Sequence, residues 1–489
     1  MKDPNEIVLH VGTTRTWIQI LPSNPWAPVI REITKQKLSD YEFDPRWKRY
    51  KVNKRYLWYN NKKNRLYIPV NVTPFIRDSL ENLGAPFIIK NDNPVKPREM
   101  NVHLKPGVEP KPHQVEVIKY LTQLKPYRKG IALQTGMGKT FCSIAAAVQM
   151  KAVTLVQCSG LTRQWVDAIF QFTDAKPEDV YEVKGFPSLF DLLASDLKPA
   201  FIVFSLETLR MYASGEGNYA ELPSFEKFQE YFGIRFCVND EVHLNFHCTC
   251  MIDLHKNIEN NAYLSGTFMS NNVSTRRVFN MIYPIDMQYH QDGVQKYIRG
   301  VCIKYYGNVP EKATRRLRGY FHTGMENWLL KHPKMLAEYF QRIIQPVFHS
   351  YYVNYAEKDE KALIYFNTIQ MIEWVQKELQ ALYPDLKIIK FIGGVPNKAM
   401  EEADVGITNT KRAGTGVDIP MLRTVINTVS LKAPALVEQL RGRLRRLKSG
   451  NTPVYVELVD MLNSFQMRHL ETRRLAHQRA CTEFEEIIW

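Results

Sequence analysis

Short apolar, β-branched runs recur along the chain, and the spacing between them changes with position. Between residues 106 and 285 the runs KGIALQ, AVTLVQC, AFIVFS, FCVND and NAYLSGT alternate with longer stretches of helical periodicity. Buried strands separated by helices predict a parallel sheet covered on both faces. The same grammar returns between 351 and 455 in KALIYF, LKIIKFI, ADVGITN, RTVINT and VYVELV. Residues 1–105 differ: EIVLHV, TWIQIL, RYLWYN and RLYIPV read as strands, TPFIRDSLENLG as a short helix, and a proline-rich polar tail as a linker. Residues 286–350 are rich in aromatic and basic groups and hold a helical stretch that Pro333 should break. Residues 456–489 read as a basic terminal helix. The expected fold is therefore α/β. A small N-terminal α+β domain (1–105) precedes one sheet-and-helix domain (106–285), an inter-domain insertion (286–350), a second such domain (351–455) and the terminal helix (456–489).

Composition narrows the class. With 489 residues the chain is too long for one core. It has no apolar run of about 18 residues, so a membrane span is not expected. The first residues, MKDPNEIVLH, do not resemble a secretory signal. Seven cysteines, an odd number irregularly spaced, suit a reducing compartment and hence a cytoplasmic protein. His247, Cys248 and Cys250 lie close together, but no second cysteine pair follows at finger-like distance, so the zinc signal is weak. The net charge of +15 favours a polyanionic partner.

The chemistry-bearing motifs begin where the strand KGIALQ ends. Thr135-Gly136-Met137-Gly138-Lys139-Thr140 joins that strand to an alanine-rich helical stretch. Two glycines let the backbone turn tightly and aim N–H groups at phosphate oxygens, and the helix N-terminus adds positive potential. Lys139 is expected on the β/γ-phosphates of a nucleotide and Thr140 on Mg²⁺. The glycine that the general phosphate loop carries five residues before Gly138 is replaced here by Leu133. About 100 residues on, the strand FCVN ends in Asp240-Glu241-Val242-His243. Asp240 and Glu241 suit the metal shell, and Glu241 suits the base that takes a proton from water. Leu264-Ser265-Gly266-Thr267 closes another strand with hydroxyls that can meet the acidic motif.

In the second repeat a strand leads into Thr408-Asn409-Thr410 and then Gly414, Gly416 and Asp418. Thr408 and Thr410 suit contacts to nucleic-acid phosphates. Gly416 and Asp418 suit the nucleotide side of a cleft. The run from Gln439 to Arg446, with Arg443 and Arg446 three apart, is expected on a helix where the two arginines share a face and stabilise a transferring phosphate.

In this order the motifs resemble those of the superfamily 2 helicases, starting from Lys111-Pro-His-Gln114 and covering residues 108–450. Within that superfamily the compact length, the small N-terminal domain and Gln164-Trp165 are most similar to phage UvsW-type recombination helicases. The resemblance implies two tandem RecA-like domains whose cleft closes on ATP and Mg²⁺, with Gln114 reading the adenine, Gln164 and Trp165 touching nucleic acid, and Gln439, Arg443 and Arg446 acting in catalysis. It also implies a monomer working on DNA beside single-strand-binding or recombination proteins, in the cytoplasm, or the host's cytoplasm if phage-encoded.

Residues 46–65 point to the nucleic acid directly. They hold nine Lys/Arg, five aromatics and no acid, and residues 1–105 carry nine of the fifteen surplus positive charges. Arg46, Lys48, Arg49, Lys51, Lys54 and Arg55 are expected to neutralise phosphates. Trp58 is expected to stack on unpaired bases, with about half of the aromatics serving the domain's own core. The combination favours forked or four-way junction DNA. An RNA helicase, the translocase subunit of a restriction system and a binding protein with a decayed ATPase are the alternatives.

Overall fold

The computed structural model describes residues 6–44, 47–133, 136–159, 162–215, 221–266, 268, 273–290, 296–316, 319–396, 398–410 and 419–489. The expected positions Arg46, Thr135, Gly416 and Asp418 lie outside the described residues. The chain divides into two compact units, 1–291 and 292–489.

The first unit opens with β1 (Ile7–Val11), β2 (Arg15–Gln19), β3 (Ser39–Asp44), β4 (Arg49–Arg55), β5 (Trp58–Asn60), β6 (Arg65–Pro69) and β7 (Phe87–Asn91). Five of these form a mixed sheet in the order β5-β6-β2-β1-β7, and β3 and β4 pair as a separate antiparallel hairpin. Then follow β8 (Arg128–Ala132), β9 (Thr154–Cys158), β10 (Val180–Val183), β11 (Phe201–Ser205), β12 (Phe236–Asn239), β13 (Asn260–Ser265) and β14 (Gln288–His290). These make a seven-stranded, all-parallel sheet in the order β10-β11-β9-β12-β13-β8-β14. Its inner strands are buried almost throughout, which is why they read as continuous apolar runs. The helix Lys139–Gln149 buries Ala145, Ala146 and Ala147 in the core of this domain, and the helix Thr162–Phe172 buries Trp165, Val166 and Ile169.

The N-terminal sheet is not an independent bead on a linker. Ile7, Leu9, Ile18, Tyr56, Ile68 and Ile76 share one apolar cluster with Val242, Phe246, Tyr263, Phe268, Phe279 and Tyr283 of the parallel-sheet domain. Polar contacts reinforce the seam. The Thr14 hydroxyl contacts the Asp253 and Lys256 carbonyls at 2.8 and 2.7 Å, and Asn257 Oδ1 accepts from Thr13 N at 3.0 Å.

The second unit contains β15 (Arg299–Tyr305), a two-stranded ribbon of β16 (Arg315–Arg316) and β17 (Gly319–Tyr320), then β18 (Lys361–Phe366), β19 (Ile388–Lys390), β20 (Val405–Asn409), β21 (Leu422–Asn427), β22 (Val454–Asp460) and β23 (Glu483–Ile488). Its main sheet is again seven-stranded and parallel, in the order β19-β20-β18-β21-β22-β15-β23. Residues 286–350 are thus not simply an insertion, because they supply β14 to the first sheet and β15 to the second. Residues 456–489 likewise supply most of β22 and all of β23, besides the helix Ser464–Ala480. Helix His322–Lys331 stops before Pro333, and the next helix starts on it.

The helix Ser464–Ala480 is basic in composition but tied inward. Arg473, fully buried, pairs with Glu457 of β22 at 2.9 Å, and His477 Nε2 lies 3.3 Å from the same carboxylate. Burial alone would raise the Glu457 carboxyl, but Arg473 and His477 outweigh it and hold it at about 2. A depressed carboxyl contributes stability above its unfolded value of 4.5 and loses it as pH falls toward 2. The second unit should therefore lose stability across that window, and Glu457→Gln should flatten the dependence in pH-resolved thermal unfolding. An unchanged slope would contradict the pairing. Among the described residues, no helix is long and apolar enough to cross a membrane.

Candidate nucleotide site

Strand order brings the first unit's motifs together. In the sequence β9-β12-β13-β8, the strand ending in Ser265 lies between the strand that leads to the phosphate loop and the strand that ends before Asp240. In a parallel sheet, ligands bind outside the carboxyl ends of the strands, which is where all three motifs sit.

Gly136 and Gly138 both have φ of 88°, in the left-handed region that favours glycine. Gly138 caps the helix Lys139–Gln149, and a Cβ there would collide with the Gln114 amide. Gln114 is the third residue of the helix Pro112–Thr122. Its Oε1 accepts from Lys111 N at 2.9 Å, and its Nε2 donates to the Met137 carbonyl at 3.3 Å. His113 Nε2 lies 3.3 Å from the same carbonyl. Lys139 is buried and donates to the Leu133 carbonyl at 3.1 Å, while Thr140 beside it is half-buried.

At the acidic motif, Asp240 Oδ1 accepts from Glu241 N at 3.0 Å and Oδ2 accepts from the Trp165 indole at 2.9 Å. Burial, with the neighbouring Glu241 charge, pushes the Asp240 carboxyl up to about 6, against the pull of Trp165 and Lys139. Glu241 holds φ of 46°, unusual for a residue with a side chain, at a strain of about 1 kcal/mol. Its Oε2 is buried without a hydrogen bond, 3.3 Å from His243 Nδ1. His243 Nδ1 and Ser265 Oγ are 2.9 Å apart, the contact expected between the serine motif and the acidic motif. Burial, with Lys139 close by, lowers the His243 imidazole to about 4, so it is neutral near pH 7.

Several expected nucleic-acid contacts are placed otherwise. Trp165 is 3 % exposed and spends its N–H on Asp240, so it belongs to the acidic motif, whereas its neighbour Gln164 is exposed. Trp58 packs against Tyr67 and His255 at ring distances of 4.9 and 4.5 Å, as part of the N-terminal domain's own seam. Thr408 is buried within β20, and Thr410 just beyond the strand is half-buried. Lys48, Arg49, Lys51, Lys54 and Arg55 are exposed on the β3–β4 hairpin, as are Trp47 at 71 % and Tyr50 at 72 %. The hairpin's base is pinned by Tyr56, Thr275 and Lys54 N on the Asp40 carboxylate, and by His247 on the Arg55 carbonyl at 2.9 Å. His247 is thus accounted for, and among the described residues no group of His, Cys, Asp and Glu could hold a metal by itself.

In the second unit the arginine motif is not one helix. Helix Pro434–Arg441 carries the half-buried Gln439 and is capped by Gly442, so Arg443 sits in a turn and Arg446 in irregular chain beyond it. The shared helical face expected from their spacing does not form, because the helix ends at Arg441, before either arginine. Arg443 is buried near the Tyr365 ring, and Arg446 is exposed with its guanidinium 5.5 Å from the Tyr297 ring.

Sequence reasoning missed His113 and the role of Trp165. The available signals were the place of His113 beside Gln114 and that of Trp165 in the first turn of the helix after a buried strand.

No protein-family model and no curated protein matches this chain. Solved structures do match. S. cerevisiae Dbp5 bound to RNA and ADP BeF3 aligns with a TM-score of 0.51 at 14 % identity, over 78 % of this chain and 90 % of that one. T4 UvsW aligns over 99 % of both chains at 16 % identity with a TM-score of 0.36. Mss116p bound to ssRNA and AMP-PNP aligns at 0.49 and 14 % identity, over 79 % of this chain and 75 % of that one. Two seven-stranded parallel sheets flanked by helices, preceded in the chain by a small mixed-sheet domain, give this chain a fold of two RecA-like domains, similar to that of Dbp5.

Proposed function

We propose that the chain is an ATP-driven helicase or translocase whose track is branched DNA, acting in fork regression, branch migration, unwinding and annealing. The observation that carries the ATP part is the convergence of Lys139, Asp240, Glu241 and the His243–Ser265 pair at neighbouring strand ends of one sheet.

The residues fit ATP and Mg²⁺. Left-handed glycines and a helix N-terminus suit phosphate oxygens, and the unsatisfied Glu241 oxygen beside Asp240 suits a hydrated cation. ATP with Mg²⁺ supplies the transferable phosphoryl group and charge neutralisation. Lys139 would then leave the Leu133 carbonyl for phosphate, Thr140 and Asp240 would hold the Mg²⁺ shell, and Glu241 would accept the proton of the attacking water. Gln114 would hold adenine while its amide keeps Met137 in place. Gln439, Arg443 and Arg446 keep the catalytic roles that their motif implies.

DNA as the track rests on the β3–β4 hairpin, where cations and two exposed rings stand together. Replacing Trp47 by alanine should weaken binding to single-strand-containing junctions about 5- to 100-fold, since one base–aromatic stack is worth about 1–3 kcal/mol. Fluorescence anisotropy on fork and blunt duplex checks this, and equal binding by the variant would remove the hairpin from the interface. Because Dbp5 and Mss116p are solved with RNA, an RNA track is the second reading. ATPase stimulation by matched single-stranded DNA, duplex, fork, four-way junction and RNA decides. Forked or four-way DNA is expected to stimulate most, Lys139→Ala is expected to abolish turnover on all of them, and strongest stimulation by RNA would replace DNA as the track.

A further inference from the structure

We infer that Trp165 is a positioning residue for the metal shell, fixing the Asp240 carboxylate through its indole N–H. The inference rests on the reading of this strand edge as an ATP·Mg²⁺ site.

The two oxygens of Asp240 each accept one short hydrogen bond. Glu241 N holds Oδ1 at 3.0 Å and Trp165 Nε1 holds Oδ2 at 2.9 Å. The two donors come from different elements, one from the backbone of the acidic motif itself and one from the helix Thr162–Phe172 that follows β9, the neighbour of β12. The carboxylate cannot rotate about its Cβ–Cγ bond without losing both. An indole N–H is only a donor, so the bond has one polarity and favours the ionised acid. One donor on each oxygen leaves each with a further lone pair, the arrangement of a metal ligand held by outer-shell contacts.

A core tryptophan could satisfy its N–H on any nearby carbonyl. Here the ring is 3 % exposed and packed within the first unit's main core, yet its one polar atom is spent on the functional carboxylate. The helix carries the exposed Gln164 immediately before it. A displacement of this first helical turn therefore moves the donor on Asp240.

Trp165→Phe keeps most of the ring volume and deletes the N–H. The readout is Mn²⁺ affinity, followed by electron paramagnetic resonance with a non-hydrolysable ATP analogue, alongside binding of a fluorescent ATP analogue without metal. We expect Mn²⁺ affinity to fall about tenfold, as for loss of one hydrogen bond to a charged group, and metal-free nucleotide affinity to hold within about twofold. Turnover should fall while KM for ATP at saturating Mg²⁺ stays within about threefold. Trp165→His, which retains a ring N–H, should recover part of the Mn²⁺ affinity, and it carries the test if Trp165→Phe does not fold. Wild-type Mn²⁺ affinity in Trp165→Phe, with only a lower melting temperature, would overturn the assignment and leave Trp165 a packing residue. A wild-type chain that binds no nucleotide analogue would overturn the ATP site itself, and that result is visible before any variant is made.

Discussion

Glu241→Gln should lower ATP turnover by about 10²- to 10³-fold while leaving ATP bound, the scale of losing a positioned general base. The substitution is nearly isosteric, so the backbone at φ of 46° and the Asp240 contact from Glu241 N are both retained. What disappears is the ability to take a proton. Neighbouring groups cannot replace it. His243 is held neutral by burial and shares its Nδ1 with Ser265, and Asp240 has a donor on each oxygen. The variant should therefore accumulate an ATP-bound state, seen as retained fluorescent-nucleotide affinity with slow product release in a single-turnover assay. Hydrolysis at near wild-type rate would remove Glu241 as the base.

The second large effect concerns stability. Asp253→Ala should destabilise the first unit by about 3–5 kcal/mol, because it strips a carboxylate from two buried cations. Lys256 Nζ lies 2.6 Å from Asp253 Oδ1, Arg128 Nη2 lies 3.8 Å from Oδ2, and the Tyr263 hydroxyl donates to Oδ2 at 2.8 Å. Lys256 and Arg128 are both essentially buried, so neither can turn to water. Lys256 also donates to Asn239 at 2.7 Å, one residue before Asp240, and its carbonyl receives Thr14 of the N-terminal domain. The damage should thus reach the docking seam and the nucleotide site together. At about 2–4 °C per kcal/mol for a unit of this size, the melting temperature should drop by about 10 °C. A drop of under 2 °C in calorimetry would mean that the cations find other partners.

The phosphate loop and the acidic motif were legible in the sequence because each is a local event. A strand, a turn that needs glycine and a helix start fall within a dozen residues, and the chemistry follows from the residue types. The paired parallel sheets were legible for the same reason, through apolar runs of strand length. What depended on distant chain was not. Trp165 looked like a contact to nucleic acid because nothing local indicates that its ring turns toward β12. The arginine pair looked helical because spacing alone does not show that the helix ends at Arg441. Residues 1–105 looked separable because the proline-rich tail resembles a linker. The cluster joining Ile68 and Tyr56 to Phe246 and Tyr283 is written in positions some two hundred residues apart. Strand β15 sits in aromatic, basic surroundings that hid its place inside the second sheet.

That place has a consequence in time. In the second sheet β15 lies between β22 and β23, so the first strand of this sheet to be synthesised is flanked by the last two. Domains generally fold as units while the chain is being made, the earlier ones first. The first unit has all its strands once residue 290 has emerged. The second must hold Val301, Cys302 and Ile303, all fully buried in the finished protein, without their neighbours until residues 454–488 arrive. In the interval after residue 305 has emerged and before residue 454 does, a nascent chain should thus present a folded first unit and, beyond it, an open, sticky edge. That is the form in which a chaperone would meet this protein.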